Sequence, residues 1–150
     1  MTRILILNGP NLNMLGLRQP EVYGATTLGD IEAMCRSHGD SRAVAVSFDQ
    51  SNHEGALVDA IQAARGHQDG IVLNAGAYTH TSVALYDAIL SCELPTVEVH
   101  ISNVFAREPF RHHSYISPVA LGQICGFGPH GYILAMDALI SHLSAKAPPT

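Results

Sequence analysis

The feature that most constrains this chain is a set of short, near-continuous Val/Ile/Leu runs, each bounded by turn signals. They are "RILILN" (3–8), "AVAVSFD" (43–49), "GIVLNA" (70–75), "TVEVHI" (96–101) and "QICGFG" (123–128). A strand open to water on one side alternates apolar and polar residues. Runs without that alternation suit parallel strands covered on both faces. Segments with helical spacing lie between them. Leu28, Ile31, Met34/Cys35 and His38 form one; Leu57, Ile61 and Ala64 a second; Ala84/Leu85, Ala88/Ile89 and Cys92 a third. The clearest is the last, where Tyr132, Ile133, Met136, Leu139/Ile140 and Leu143 make one apolar stripe. Thr27 with Asp30, and Ser51 with Glu54, have the spacing of capping boxes.

Strands alternating with helices predict an α/β fold. The simplest form is a doubly wound five-stranded parallel sheet with helices on both faces, in the flavodoxin-like order 2-1-3-4-5. With 47% apolar and 14% charged residues over 150 positions, one globular domain (1–150) is expected, ending in a loose tail, "SAKAPPT", from about residue 145. A formal charge of -5 and the lack of a basic cluster argue against a nucleic-acid partner. No segment approaches the roughly 18 apolar residues of a membrane span. The opening apolar run is shorter than the core of a signal peptide, about 7–15 residues. Cys35, Cys92 and Cys125 are odd in number, widely spaced and each in an apolar context. Buried thiols in a reducing cytoplasm are expected, rather than a disulfide framework or a zinc site.

Ligands of doubly wound sheets bind outside the carboxyl ends of the strands, where the sequence places Asn8, Asp49, Asn74 and His100. Any one of these suits a helix cap or a turn; four on one edge favour a site. The loop after the first run, "NGPNLNMLGLRQPEVYG" (8–24), has only Arg18 and Glu21 as charged residues, and its glycines are too far apart for a pyrophosphate turn. Arg18 and Tyr23 flank Pro20 within it. They read either as a surface arginine and a tyrosine packing the loop down, or as a paired base. A free tyrosine is ionised roughly once in a thousand molecules at pH 7, a deficit of about 4 kcal/mol. A neighbouring guanidinium lowers that pKa by about 1–3 units.

In "TVEVHIS", strand alternation puts Glu98 and His100 on one face and Val97 and Val99 on the other. The polar pair is either the wet side of a half-exposed edge strand or a carboxylate fixing an imidazole for acid–base work. In "NAGAYTHTSVALYD" (74–87), His80 at a helix start and Asp87 two turns on are either ordinary surface groups or ligand contacts. "HISNVFAREPFRHHS" (100–114) supplies Ser102, Arg107, Arg111, His112 and His113. Adjacent histidines on an extended loop cannot both aim at one ion, and HExxH spacing is absent, so no metal site is expected.

Four motifs, "NGPNLNMLG.R.P..YG", "QSNHEG", "NAGAYTHTSVAL.DA" and "EVHISN...RE.FRHHS", resemble type II 3-dehydroquinate dehydratases in order and spacing over nearly the whole chain. The resemblance implies a lyase that takes water from 3-dehydroquinate to give 3-dehydroshikimate, in the shikimate pathway or in quinate breakdown. The implied route is an anti elimination through an enolate, with no metal or organic cofactor. The unrelated dehydroquinases form a Schiff base on a buried lysine; here the sole lysine is Lys146, in the expected tail.

By the same resemblance Tyr23 takes the C2 proton, held as phenolate by Arg18, and Asn11 binds a water that stabilises the enolate oxygen. His100, oriented by Glu98, protonates the leaving C1 hydroxyl. Asn74 and the backbone amides of Ile101 and Ser102 hold the substrate carboxylate. His80 and Arg111 grip the ring hydroxyls, joined by Asp87 from a neighbouring subunit of a trimer-based homododecamer. The long first loop, about 17–25, then reads as a lid that excludes water and strengthens the Arg18–Tyr23 coupling. Gln19, Asp49 and Phe105 depart from the family pattern, none of them at a catalytic position.

Rival readings belong to other classes. A flavodoxin-like flavin or nucleotide-binding module needs a Ser/Thr/Gly-rich anion nest after the first strand, where "GPNLNML" stands instead. A phospho-receiver needs an acidic pocket and a lysine after the fifth strand, and "GFGPHGY" has none. A purely structural oligomer subunit leaves Arg18, Tyr23 and His100 without a purpose.

Overall fold

The computed structural model describes residues 1–17, 21 and 24–145; most of the expected lid, and the tail from Lys146 on, lie outside these described residues. Five strands, β1 (Thr2–Asn8), β2 (Val44–Gln50), β3 (Gly70–Asn74), β4 (Thr96–His100) and β5 (Gly122–Cys125), form one sheet in the order β2-β1-β3-β4-β5. Every neighbouring pair is parallel, as the apolar runs predicted. The helices are α1 (Leu28–Ser41), α2 (Glu54–Ala64), α3 (Val83–Cys92) and α4 (His130–Ala145).

The pleat sorts side chains into two cores. Ile4, Ile6, Val72, Val97 and Val99 pack against Ile31 and Cys35 of α1 and against Tyr132, Met136 and Leu139 of α4. Leu5, Leu7, Ile71 and Leu73 face Leu57 and Ile61 of α2 and Leu85 and Ile89 of α3. Strands β3 and β4 are buried at every residue. The edge strands β2 and β5 are only half-covered, so unbroken apolar character marks the interior strands alone. Burying a Leu or Ile side chain contributes about 1.5–3 kcal/mol, which makes these two layers the main source of stability.

The Thr27–Asp30 capping box forms, with Thr27 Oγ1 accepting the Asp30 amide and Asp30 accepting the Thr27 amide. The Ser51–Glu54 box does not. Helix α2 is capped at His53 without a side-chain bond, and Ser51 Oγ accepts the His53 amide instead. The fifth run also overshoots. Strand β5 ends at Cys125 because Gly126 and Gly128 turn at φ +94° and +63°, donating their amides to the carbonyls of His100 and Ile101. Of the three thiols, Cys35 and Cys92 are buried and Cys125 is partly covered.

One glycine sets the geometry of the carboxyl edge. Gly9 donates its amide to the Asn74 carbonyl at 2.7 Å, and a Cβ there would lie 2.4 Å from the Ala75 carbonyl oxygen. Backbone cannot yield as a side chain does. Gly9→Ala should therefore destabilise by about 2–3 kcal/mol or more, read as a lower urea midpoint at constant slope. Gly55, in the first turn of α2 with open space around it, is the contrast. Gly55→Ala should raise the midpoint, by up to about 1 kcal/mol.

Candidate active site

Strands β1 and β3 end at the same depth, with Asn8 opposite Asn74. Beyond Asn8 the chain turns through Asn11, whose backbone is left-handed at φ 68°, a conformation asparagine tolerates better than most residues. The Asn11 amide donates to Asn52 Oδ1, which also accepts from Gln50 Nε2, while the Asn52 carbonyl accepts from Tyr78 Oη. The "QSN" segment at the end of β2 is thus a bracket for the first loop. A 3-10 turn, Leu12–Met14, follows, and Leu12 and Leu15 enter the α1/α4 core.

Strand β4 carries the second part. It lies between β3 and β5, and all five residues are buried, so the edge-strand reading of Glu98 and His100 is wrong. The Glu98 carboxylate is fully buried. His100 Nε2 donates to it at 2.5 Å, Ser117 Oγ at 2.5 Å, Gln123 Nε2 at 3.0 Å and Ser114 Oγ at 3.0 Å. Ser114 Oγ in turn accepts the amides of Ile116 and Ser117, which pins the segment onto β4. Burial alone would raise the Glu98 pKa. The bond to His100 and its charge, then Ser117 and Gln123, outweigh that and hold the carboxyl below its usual range. Glu98 is an anion in the core, and it fixes the imidazole with Nε2–H inward and Nδ1 as the remaining ring nitrogen.

His80 does not start a helix, contrary to the sequence expectation. It ends a 3-10 turn, Gly76–His80, and α3 begins later, capped by Ser82 Oγ on the Leu85 amide. His80 Nδ1 donates to the His113 carbonyl at 2.7 Å. Burial, aided by His100 and Arg111, lowers its pKa against the opposing pull of that bond. Neutral His80 therefore carries its proton on Nδ1 and offers Nε2 as an acceptor. Its ring stacks on that of His100, centroids 6.4 Å apart.

These groups line one cleft, of about 120 Å³, that opens to solvent. Asn11, Asn74, His80, His100, Ile101, Ser102 and Arg111 all reach it, with Glu98 directly behind His100. Asp87 is exposed on α3 and is not part of this wall. Arg18 and Tyr23 lie outside the described residues. Arg107, given no role from the sequence, also lines the cleft and donates to Ser102 Oγ at 3.4 Å; its signal was its place between two accepted site segments. Pro10, Leu12, Leu15, Ala77 and Val104 supply apolar wall that no motif could announce. Arg111 donates Nε to Glu108 at 2.6 Å.

The described lining thus holds two arginines, two histidines and two asparagines, with no carboxylate. It suits a small anion bearing hydroxyls. No group of His, Cys, Asp and Glu suited to a metal occurs among the described residues, and none of their helices is long and apolar enough to cross a membrane.

Comparison with known proteins agrees with this geometry. The family model "Dehydroquinase class II" matches residues 2–140. A 3-dehydroquinate dehydratase of Ruegeria pomeroyi is 69% identical over 97% of this chain and 98% of its own length. One from Dinoroseobacter shibae is 63% identical over 95% of each. The crystal structure of the type II dehydroquinase from Butyrivibrio crossotus superposes with a TM-score of 0.91 at 48% identity, covering 93% of this chain and 97% of the other. With the parallel sheet order and the rim residues in register, the chain belongs to the class II dehydroquinase family.

Proposed function

We propose that this chain is a 3-dehydroquinate dehydratase, a lyase acting by anti elimination through an enolate. The observation that carries the reading is a buried carboxylate, Glu98, holding the His100 imidazole at the floor of an anion-accepting cleft. Tyr23, as phenolate beside Arg18, takes the C2 proton; the family resemblance supports that assignment. Electrons from the broken C–H bond move onto the ketone oxygen, and Asn11 holds a water against the resulting enolate. The enolate then re-forms the ketone as the C1–O bond breaks. His100, carrying a second proton on Nδ1, delivers it to the departing hydroxyl, which leaves as water. Base and acid each return to their starting state through solvent.

The remaining groups position the ring. Asn74 and the amides of Ile101 and Ser102 take the carboxylate, while His80 Nε2 accepts from a ring hydroxyl and Arg111 donates to another. Asp87 reaches the site of a neighbouring copy in a trimer-based dodecamer, consistent with its exposure on α3. We infer further a single catalytic domain (1–150) with a lid at about 17–25 and a cytoplasmic setting, supported by the buried free thiols Cys35 and Cys92. A flavin or nucleotide carrier is disfavoured because the loop after β1 turns Leu12 and Leu15 into the core.

The direct test is to supply 3-dehydroquinate and follow the ultraviolet absorbance of the conjugated enone product, with deuterium placed stereospecifically at C2. Enone formation with loss of the label anti to the hydroxyl is expected; no enone would end the proposal. Tyr23→Phe and His100→Ala should each lower kcat by about 10²–10⁴-fold with KM little changed. A variant that turns over like the parent removes its residue from the mechanism. Light scattering should find the dodecamer, and a fully active monomer would take Asp87 out of the site.

Glu98 also predicts an acid limb of stability. Its folded pKa lies below the unfolded value of about 4.3, so its ionisation stabilises the fold above that pH. The contribution is lost as pH falls through the lower folded value. Urea titrations below about pH 4.3 should show a shallower pH dependence for Glu98→Gln than for the parent. Equal slopes would mean that the folded carboxyl is not held below its unfolded value.

A further inference from the structure

Tyr132, on α4, has the largest fully buried side chain of the described residues, yet its phenol oxygen lies among polar groups. It donates to Asn8 Oδ1 at 2.7 Å and accepts from Asn74 Nδ2 at 2.9 Å. Burial pushes this phenol well above the ordinary tyrosine range, so the hydroxyl stays neutral and is no base. The mechanism gives it no part. It nevertheless touches the one strand-end amide that both lines the cleft and is almost wholly buried, Asn74 at 3% exposure.

The direction of each bond follows from the one before it. Asn8 Nδ2 donates to the Asp49 carbonyl at 3.1 Å, which leaves Asn8 Oδ1 facing the phenol. An amide oxygen can only accept, so the phenol's single proton is directed at Asn8. Toward Asn74 the phenol then has only a lone pair, and Asn74 must present Nδ2–H to it. Asn74 Oδ1 is turned to the Gly76 amide at 3.2 Å, whose N–H can only donate. A flipped Asn74 would set oxygen against lone pair at one end and N–H against N–H at the other. With Oδ1 and one N–H engaged, the second N–H of Asn74 is the hydrogen available to the cleft. Asn8 and Asn74 stand opposite each other in the β1–β3 register, and Gly9 admits no side chain that would part them.

We propose that Tyr132 is a positioning residue, which, locked by Asn8, holds the Asn74 amide with N–H and never C=O toward the ligand and so selects a carboxylate there. This rests on the reading that the cleft takes the substrate's carboxylate at Asn74. Tyr132→Phe keeps the ring and its packing and removes the oxygen that, together with the Gly76 amide, sets the direction. Only the Gly76 amide then opposes the flip, so the flipped amide is populated more often, with Asn74 Oδ1 toward the cleft. There it repels a carboxylate and tolerates a primary amide.

The experiment measures steady-state kinetics on 3-dehydroquinate, and competitive inhibition by cyclohexanecarboxylate and by cyclohexanecarboxamide. Tyr132→Phe is expected to raise KM about tenfold with kcat changed far less, and to shrink the carboxylate-over-carboxamide preference by a similar factor. A general loosening of the core would weaken both inhibitors alike. Asn8→Leu releases the lock from its other end, leaves Tyr132 in place, and should reproduce the same change in preference. This second variant serves if the first does not fold. Asn74→Ala separates the two readings. If it leaves KM and preference unaltered, the carboxylate does not bind at Asn74 and both readings fall. If it raises KM while folded Tyr132→Phe or Asn8→Leu keeps the parental preference, the positioning role alone is overturned.

Discussion

A carboxylate with no exposure to water, set in the middle of the sheet, is what the rest of this site depends on. Stripping water from a charge is costly unless polar partners replace the hydration. Glu98 obtains them from three places in the sequence: His100 on its own strand, Ser114 and Ser117 on the returning segment, and Gln123 on the edge strand. The connection between β4 and β5 is therefore more than a crossover. It is shaped to bring hydroxyls under the strand, and in doing so it sets Arg107 and Arg111 at the cleft. One side chain couples the packing of β5 to the orientation of an imidazole on β4.

The cleft and the networks behind it draw on both faces of the sheet. Glu98 and His100 belong to the α2/α3 side, whereas Asn8, Asn74 and Tyr132 belong to the α1/α4 side, as the alternation of β1, β3 and β4 requires. The two polar networks meet only beyond the carboxyl ends, near the point where the strand order reverses between β1 and β3. A doubly wound sheet opens its crevice there, which is why one small cleft collects groups from layers that are separated everywhere else by apolar packing.

Much of this was legible in the chain itself. Apolar runs without alternation gave β1 and β3 nearly to the residue, because both faces of those strands are packed against apolar side chains. Strand β4 was bounded as closely, although Thr96, Glu98 and His100 alternate with its valines. The Glu98–His100 spacing gave the shared face, but not that β4 is interior; pairing partners lie far off in sequence, and the strand's own pattern cannot name them. His80 was misplaced by a turn because a short 3-10 segment before α3 has no periodicity to read. The Ser51 box failed because two turn bonds compete for one hydroxyl, and the nearer amide won. Tyr132 read as an ordinary core aromatic on an apolar stripe, since nothing local shows that its oxygen meets Asn8 and Asn74, 124 and 58 residues away. Arg18 and Tyr23 rest on motif resemblance.

The two arginines of the cleft sit on a protein whose formal charge is -5. At physiological salt the screening length is about 8 Å and Glu108 offsets part of the Arg111 charge, so the pull of the two arginines fades close to the mouth. For the singly charged substrate proposed above, capture is then a local event, decided in the last few ångströms of approach. Raising the ionic strength works in opposite senses on the distant repulsion and the near attraction, leaving encounter with a small anion far less sensitive to salt than that of an enzyme that steers its ligand from afar.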